Sequence, residues 1–384
     1  MPRPASARRL PPRPAPVAAA APFLPSDILS DRGRIFRPPL MRWALSLARQ
    51  FRNPAHPSAD PRHTYEVCAL ANNASLLFAL AGESDFAETV CEKQLAWLHR
   101  RMLAGGGAAA ASLAIQPWVN IGRLYRQRGE SARALAQFAA IFPAPDGAPL
   151  AFGPFRLEQE DILFEDVELL YVVDALRTFH AARDYERGLR FARKLRPRLS
   201  SCAAIPRLDE YAFQFALCCG YARAAGRVLD RSEWQDQPQL MLVNAFYRCI
   251  LLAAEGGDTG PIVSDLAGWA CGALAGTSPD HSTLRFALDL ARFARDAGSP
   301  GPAEALAPAG YDAATRHEDV PLRFEFARLA GALGAAAALP PPEEILVHSG
   351  YVGFARRHGI ALVPAADARA ALETLRAALM TALW

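Results

Sequence analysis

Residues 115–142 read IQPWVNIGRLYRQRGESARALAQFAAIF, within a protein of 384 residues. Apolar side chains recur every three to four residues on both sides of Gly129, which is the spacing of two amphipathic helices joined by a tight turn. Gly122 and Ala134 are small enough to let two helices approach closely, and the ring of Phe138 can fill the space between them. The stretch therefore predicts an antiparallel helix pair.

The same joint, a long helical stretch followed by a tight turn and a second helix, recurs through the sequence at intervals of 36 to 54 residues. The joints lie at Gly82–Phe86, Arg128–Ser131, Arg183–Tyr185, Cys219–Tyr221, Gly257–Thr259 and Gly298–Pro300. A two-helix period of this order is typical of helical solenoids, in which each pair buries its apolar face only by stacking on its neighbours. Because hardly any alternating β pattern is present, the sequence predicts an all-α protein.

The helix pair at 115–142 resembles a tetratricopeptide repeat (TPR). It carries the family's characteristic positions at the family's internal distances, namely Trp118, Ile121, Gly122, Tyr125, Gly129, Ala134 and Phe138. The next unit is a degenerate version, in which Leu176 stands where the family has a small residue. TPR-like periodicity extends over about 64–310. The resemblance implies a right-handed α-solenoid that binds a partner protein or peptide and does not catalyse a reaction.

In TPR proteins the first helix of each pair lines the concave face, and its side chains that are not used for packing face the ligand. Carried over position by position, the resemblance implies a partner-binding site at Asn120, Arg123, Arg126, Arg177 and His180, with Gln127 and Asp174 beside it. Guanidinium groups bind carboxylates in a two-pronged geometry, so the expected ligand is an acidic peptide, the C-terminus of a polypeptide or another anion. Arginine is also the usual basic residue of this protein, which leaves open that these arginines are merely exposed.

The formal net charge of +3 is unevenly distributed. Residues 1–40 carry seven arginines and two aspartates, so residues 41–384 are close to neutral. This balance argues against broad binding of a phosphate backbone, and no nucleic acid is expected as a partner. A second basic face, formed by Arg183, Arg187, Arg190, Lys194 and Arg198, is predicted to contact the acidic residues of the nearby insertion.

The sequence predicts three parts. Residues 1–40, rich in Pro, Ala and Arg, are expected to be a disordered tail, for which an export signal, a transit peptide or a start at Met41 are alternatives. The helical repeat domain is expected over 41–338. Residues 339–384 are expected to form a C-terminal capping segment and a last amphipathic helix, with inward-facing leucines at Leu372, Leu375, Leu379 and Leu383.

Three stretches interrupt the periodicity. The insertion at 143–170, PAPDGAPLAFGPFRLEQEDILFEDVELL, is interpreted as a long loop that faces a partner, or as a connector whose carboxylates belong to the solvated first turn of the next helix. The run Gly105–Gly107 is interpreted as a flexible joint. A helix predicted over 301–307 is followed by Pro308.

No catalytic motif, nucleotide-binding loop or metal-ligand spacing is found among the eight histidines and seven cysteines, so neither a cofactor nor a metal site is expected. The cysteines mostly lie in apolar helical stretches, as small buried hydrophobes in a reducing compartment do. No apolar run reaches about 18 residues, so no membrane-spanning helix is expected.

The favoured hypothesis is therefore a cytoplasmic bacterial adaptor or scaffold that binds a protein or peptide, which could itself be an enzyme or part of a secretion system. One alternative is an all-helical enzyme or enzyme subunit that uses the segment 343–364, where His348, Tyr351, Arg357 and His358 form a candidate functional loop. Another alternative is an exported bacterial effector.

Overall fold

The computed structural model describes residues 44–46, 48, 61–142, 148–158, 167–201, 204–231, 238–276, 279, 281–317, 319–339 and 366–383. Within these ranges the protein forms fifteen α-helices and one β-hairpin. The predicted helical class is confirmed, and the hairpin is the exception to it. The helices are α1 (Pro61–Leu80), α2 (Ser84–Arg101), α3 (Gly107–Leu113), α4 (Ile115–Gln127), α5 (Ser131–Ala139), α6 (Val167–Ala181), α7 (Tyr185–Leu195), α8 (Ala204–Cys218), α9 (Ala222–Arg231), α10 (Pro238–Ala254), α11 (Gly260–Ala275), α12 (His281–Asp296), α13 (Pro300–Arg316), α14 (Val320–Ala332) and α15 (Ala366–Leu383). The strands are β1 (Leu150–Phe152) and β2 (Phe155–Leu157).

The helices pack mainly against helices that are next to them in the sequence. Six pairs are joined by tight turns, namely α1/α2, α4/α5, α6/α7, α8/α9, α10/α11 and α12/α13. The second helix of each pair also packs against the first helix of the following pair, and first helices contact each other, as α6 and α8 do. Apolar side chains from α2 through α14 thereby merge into one continuous core.

The same pair of hydrogen bonds closes each of these turns. After α1, the backbone N–H of Glu83 donates to the carbonyl of Phe78 (2.8 Å), and the N–H of Gly82 donates to that of Ala79 (3.1 Å). This is the Schellman arrangement, in which a residue with positive φ ends a helix and its amides satisfy the last carbonyls. The pattern recurs after α4, α6, α8, α10 and α12, which confirms the predicted joints, and it also follows α14, where no joint was predicted.

Glycine supplies the positive φ at all of these turns but one: Gly82, Gly129, Gly220, Gly256, Gly298 and Gly334. The exception follows α6, where Arg183 has a φ of 54°. A left-handed conformation disfavours a residue with a side chain by about 1–2 kcal/mol, whereas glycine adopts it freely. The protein therefore keeps an exposed arginine at a position where glycine would be the more stable choice.

Glycines inside the helices allow close contact with aromatic rings. A Cβ atom added at Gly122 would lie 2.4 Å from Cε1 of Phe138, and one added at Gly188 would lie 2.5 Å from Cε2 of Phe215. The first contact joins α4 to α5, as the sequence of residues 115–142 predicts, and the second joins α7 to α8. A similar contact joins α13 to α14.

The C-terminal helix α15 packs against α1 and α2, at the beginning of the series of helix pairs. The leucines predicted to face inward are buried there, namely Leu372, Leu375, Leu379 and Leu383. Arg376 forms an ion pair with Glu83, and its guanidinium carbon lies 5.1 Å and 4.1 Å from the ring centroids of Phe78 and Phe86. The last helix thus covers the first pair, a placement that local sequence pattern does not indicate.

The interpretation of the insertion at 143–170 as a loop or a connector was wrong for residues 150–157. Its last part agrees with the second alternative, because Glu168 lies in the first turn of α6. The strands β1 and β2 form an antiparallel hairpin around Gly153 and Pro154. The inward side chains of the hairpin are all buried, and the ring of Phe152 lies edge-on to Trp118, with centroids 5.4 Å apart. The symmetric pattern Leu-x-Phe-Gly-Pro-Phe-x-Leu is the signal that identifies it. Residues 143–147 and 159–166 lie outside the described residues.

The run Gly105–Gly107, interpreted as a flexible joint, forms a kink between α2 and α3, where Gly105 and Gly107 have positive φ values of 102° and 47°. Alanines of α3 are buried against α1, α2 and α4, so small side chains here allow tight packing. The predicted end of a helix at residue 307 was wrong, because α13 continues through Pro308. A proline inside a helix costs about 3 kcal/mol, and burial of the opposite face, including Ala307, Gly310 and Ala313, offsets this.

We expect the substitution Gly122→Ala to lower the free energy of unfolding by about 2–3 kcal/mol, because the added methyl group overlaps the buried ring of Phe138. Gly268→Ala is the matched control. Gly268 lies inside α11 with no atom within 4 Å of an added Cβ, so its substitution should stabilise the protein by about 0.5–1 kcal/mol. Urea unfolding followed by circular dichroism measures both, and equal effects would contradict the close-packing interpretation.

Candidate partner-binding site

The five residues predicted to bind a partner lie on α4 and α6, the first helices of two successive pairs, which contact each other. They are Asn120, Arg123, Arg126, Arg177 and His180. The structure brings four of them together around the carboxylate of Asp174, while His180 lies one turn further along α6. We refer to Asn120, Arg123, Arg126, Asp174 and Arg177 as the Asp174 cluster.

Asp174 is the centre of this cluster. Its side chain is only 1% exposed, and both of its oxygens accept hydrogen bonds from arginines of α4. Nη2 of Arg123 donates to Oδ2 (2.8 Å), Nε of the same residue donates to both oxygens, and Nη1 of Arg126 donates to Oδ1 (2.8 Å). The pairing of α4 with α6 therefore depends on a buried, hydrogen-bonded ion pair.

These arginines determine the ionisation of Asp174. Burial by itself would raise the pKa of this carboxyl group, but the charges of Arg123 and Arg126 and the hydrogen bonds from Arg123 hold its pKa well below the usual range of an aspartate. The charge of Arg177 acts in the same direction. Asp174 is thus a carboxylate at any physiological pH.

Asn120 extends the cluster toward α1. Its Oδ1 accepts hydrogen bonds from Nη1 of Arg123 and from Nε2 of Gln116, both at 3.1 Å. Its Nδ2 lies 3.5 Å from Oδ1 of Asn72 on α1. Three successive first helices, α1, α4 and α6, therefore present one connected polar surface.

Arg123 and Arg126 carry two positive charges but share the single negative charge of Asp174. One positive charge therefore remains uncompensated. Arg123 is 32% exposed and Arg126 is 17% exposed, which leaves part of each guanidinium accessible to solvent. Arg126 bonds described residues only through Nη1. The arrangement can accept a further anion beside Asp174. The bonds to Asp174 also restrict both guanidinium groups, which the sequence predicts to be exposed and free to face a ligand.

His180 differs from the arginines. Its ring stacks on Phe215 of α8, with centroids 6.4 Å apart, and lies edge-on to Tyr185, at 6.0 Å. It is half-buried and extends the same face from α6 toward α8. Its main contacts are aromatic, so a role in packing accounts for its position as well as a role in binding does.

The buried state of Asp174 and the contribution of Asn72 were not predicted. Asp174 is the only charged residue between Glu168 and Arg177, in the apolar stretch LLYVVDAL. A single carboxylate within an apolar helix is seldom buried unless it is paired. This signal was available in the sequence, whereas its pairing across 51 residues to Arg123 was not.

The thiols of the described cysteines are weak nucleophiles. Burial raises the pKa of Cys68 and of Cys91 to about 12, and it raises those of Cys218 and Cys249 to about 11. A thiolate is therefore scarce at neutral pH, and these side chains behave as buried hydrophobes.

Other predicted features can be placed only in part. The candidate loop residues His348, Tyr351, Arg357 and His358 lie outside the described residues. Among the residues that the structure does describe, no three His, Cys, Asp or Glu side chains come together in a way that could hold a metal ion. No helix in the same ranges has the length and apolar character needed to cross a membrane.

Comparisons with family models, with curated proteins and with solved structures find no match to this protein. What the protein does must therefore be inferred from its own residues.

We expect Asp174→Asn to lower the free energy of unfolding by about 2–3 kcal/mol at neutral pH, because two guanidinium groups lose their shared carboxylate. The pKa of Asp174 is lower in the folded than in the unfolded state. Its stabilising contribution is therefore fully present above about pH 5 and is lost as the pH falls below about 4. The difference between wild type and variant should shrink at acid pH.

Urea unfolding at neutral and acid pH measures this difference. Asp296→Asn is the control, because Asp296 is half exposed and, among the described residues, pairs only with its neighbour Arg295. The change should stay within about 0.5 kcal/mol. Equal stability of Asp174→Asn and wild type at neutral pH would show that the cluster does not hold α4 against α6.

Proposed function

We propose that this protein is a non-catalytic scaffold, built as a TPR-like right-handed α-solenoid, that binds an acidic segment of a partner protein along α1, α4 and α6. The observation that carries the proposal is the Asp174 cluster, in which Arg123 and Arg126 are oriented by one buried carboxylate and retain a positive charge. Oriented guanidinium groups lose less side-chain freedom when they bind a second carboxylate.

The repeated helix pairs support the solenoid part of the proposal. Each pair closes with the same turn, and its second helix packs on the first helix of the next pair. Stacking of this kind leaves the first helices side by side, so that one extended ligand can contact several of them. The polar connection from Asn72 through Asn120 to Asp174 follows that direction.

The ligand that fits this surface best is an extended acidic peptide or the free C-terminus of a polypeptide. Arg123 has the most accessible guanidinium of the two that bind Asp174, and a carboxylate beside it would receive charge-assisted hydrogen bonds. The described cysteines are free thiols, which fits a reducing compartment such as a bacterial cytoplasm.

We expect the purified full-length protein to bind fluorescein-labelled acidic peptides that end in a free carboxylate more tightly than basic peptides of the same length. Arg123→Gln should weaken the binding of the acidic peptides by about tenfold or more, which is the effect of losing one charge-assisted contact. Fluorescence anisotropy measures the affinities, and thermal unfolding checks that the variant is folded.

Arg133→Gln is the matched control. Arg133 lies on α5, is 60% exposed and pairs with Glu130, so its loss removes the same charge away from the proposed surface. It should change the affinity by less than about twofold. Equal losses with the two variants, or no preference for acidic peptides in the wild type, would refute the proposed binding surface.

A further inference from the structure

A second basic surface lies on α7 and α9, the second helices of two successive pairs. We call it the α7–α9 basic surface. Its members are all exposed, namely Arg183, Arg187, Arg190, Arg193, Lys194, Arg198, Arg223, Arg227 and Arg231. The acidic residues among them are Asp184, Glu186 and Asp230. Both helices pack against α8, and the hydroxyl of Tyr221 donates to Glu186 (3.1 Å), which joins the beginning of α9 to the beginning of α7.

The positive charge of the described residues is concentrated on this surface. It holds nine basic and three acidic residues, whereas the remaining described residues include 21 basic and 22 acidic ones. A nearly neutral total therefore conceals a strongly basic region. The sequence-based argument against a phosphate ligand used the total charge, and it does not apply to a surface on which the charge is segregated.

Most of these charges are available to a ligand. Arg193, Lys194, Arg223, Arg227 and Arg231 form no hydrogen bond or ion pair with any other described residue. Arg187 pairs with Asp184, which immediately precedes α7, at 3.5 Å, and Arg190 pairs with Glu186 at 3.6 Å. Such exposed pairs contribute little.

The predicted contact with the acidic insertion stays a prediction. Glu168, at the end of that stretch, accepts hydrogen bonds from the backbone N–H groups of Ser200 and Ser201 and from the hydroxyl of Ser200. It does not pair with a member of the basic surface. Arg198, two residues before Ser200, places its guanidinium over the ring of Phe142 at 4.8 Å.

The strained residue Arg183 belongs to the same surface. It has a left-handed backbone at a turn position where six other turns have glycine. Its side chain adds a positive charge immediately before α7. An arginine kept at the expense of stability is consistent with a side chain that is used in binding.

The composition of the surface indicates the class of ligand. Protein interfaces generally have an apolar centre from which charged residues are depleted. Here Tyr221, 42% exposed, is the only large apolar side chain strongly exposed on the described residues of α7, α9 and the turns that precede them. The lack of exposed Trp, Phe or Leu also argues against a helix that inserts into a lipid surface. A sugar–phosphate backbone needs mainly positive charge.

We propose that the α7–α9 basic surface binds the phosphate backbone of a single-stranded nucleic acid. Basic residues three or four apart on one helix lie about 5–6 Å from each other, so successive phosphates of an extended strand can each meet a guanidinium. The ring of Tyr221, held at the edge of the surface by Glu186, offers one base a stacking partner. The strand would contact a face of the protein distinct from the Asp174 cluster.

The test uses the purified full-length protein and a 5′-fluorescein-labelled RNA or DNA strand of about 20 nucleotides, with anisotropy measured between about 50 and 200 mM salt. We expect binding that weakens steeply with salt, with a logarithmic slope of about −0.7 for each phosphate contacted. Combined replacement of Arg193, Arg223 and Arg227 by Gln should reduce the affinity at least about tenfold and make the slope shallower by about two.

Replacement of Arg100, Arg156 and Arg295 by Gln removes the same charge from other exposed positions and should change the affinity less than about twofold. The proposal is overturned if both triple variants lose affinity equally or if the wild type does not bind the strand. It is also overturned if vesicles containing phosphatidylserine, or polyglutamate, bind more tightly than the strand through the same arginines.

The substitution Arg183→Gly tests whether this arginine contributes to binding separately from its effect on stability. Removal of the side chain from a left-handed position should leave the melting temperature unchanged or raise it, because glycine relieves the strain. The affinity for the strand should fall about two- to threefold, with a slope shallower by about 0.7. A variant that is at least as stable and binds as tightly as wild type would show that Arg183 has no part in binding.

Discussion

The left-handed residue that ends the first helix of each pair is the constraint on which the rest of this structure depends. It lets two amides satisfy the last helical carbonyls and turns the backbone sharply enough for the second helix to run back along the first. Without this reversal the amphipathic faces of neighbouring helices could not meet. Five glycines and Arg183 perform this role in the six pairs.

Close approach of the helices follows from the same geometry. Once two helices run antiparallel, their separation is set by the side chains at the crossing point, and Gly122 and Gly188 leave room for the rings of Phe138 and Phe215. A single pair of helices cannot bury all of its own apolar side chains. They pack on their neighbours, and one core continues from α2 to α14.

Charged residues are arranged differently on the first helices and on the second helices of the pairs. On α4 and α6, two first helices, the charges are partly compensated from within the fold, because buried Asp174 binds Arg123 and Arg126 across two pairs. On α7 and α9, the basic residues are exposed and mostly unpaired among the described residues. A buried charge needs a partner because it has lost its hydration, whereas an exposed arginine keeps its hydration and can remain available to a ligand.

Local sequence pattern determined the helical class, the positions of the turns and the inward faces, since the apolar period and the turn residues act over a few positions. It also indicated the contact between Gly122 and Phe138, because both residues belong to one helix pair. The tertiary structure alone decided that Arg123 and Arg126 bind Asp174, that α15 covers α1, and that the basic residues of α7 and α9 form one surface. These contacts join residues far apart in the sequence, and their geometry depends on how the intervening helices pack, which no local spacing encodes.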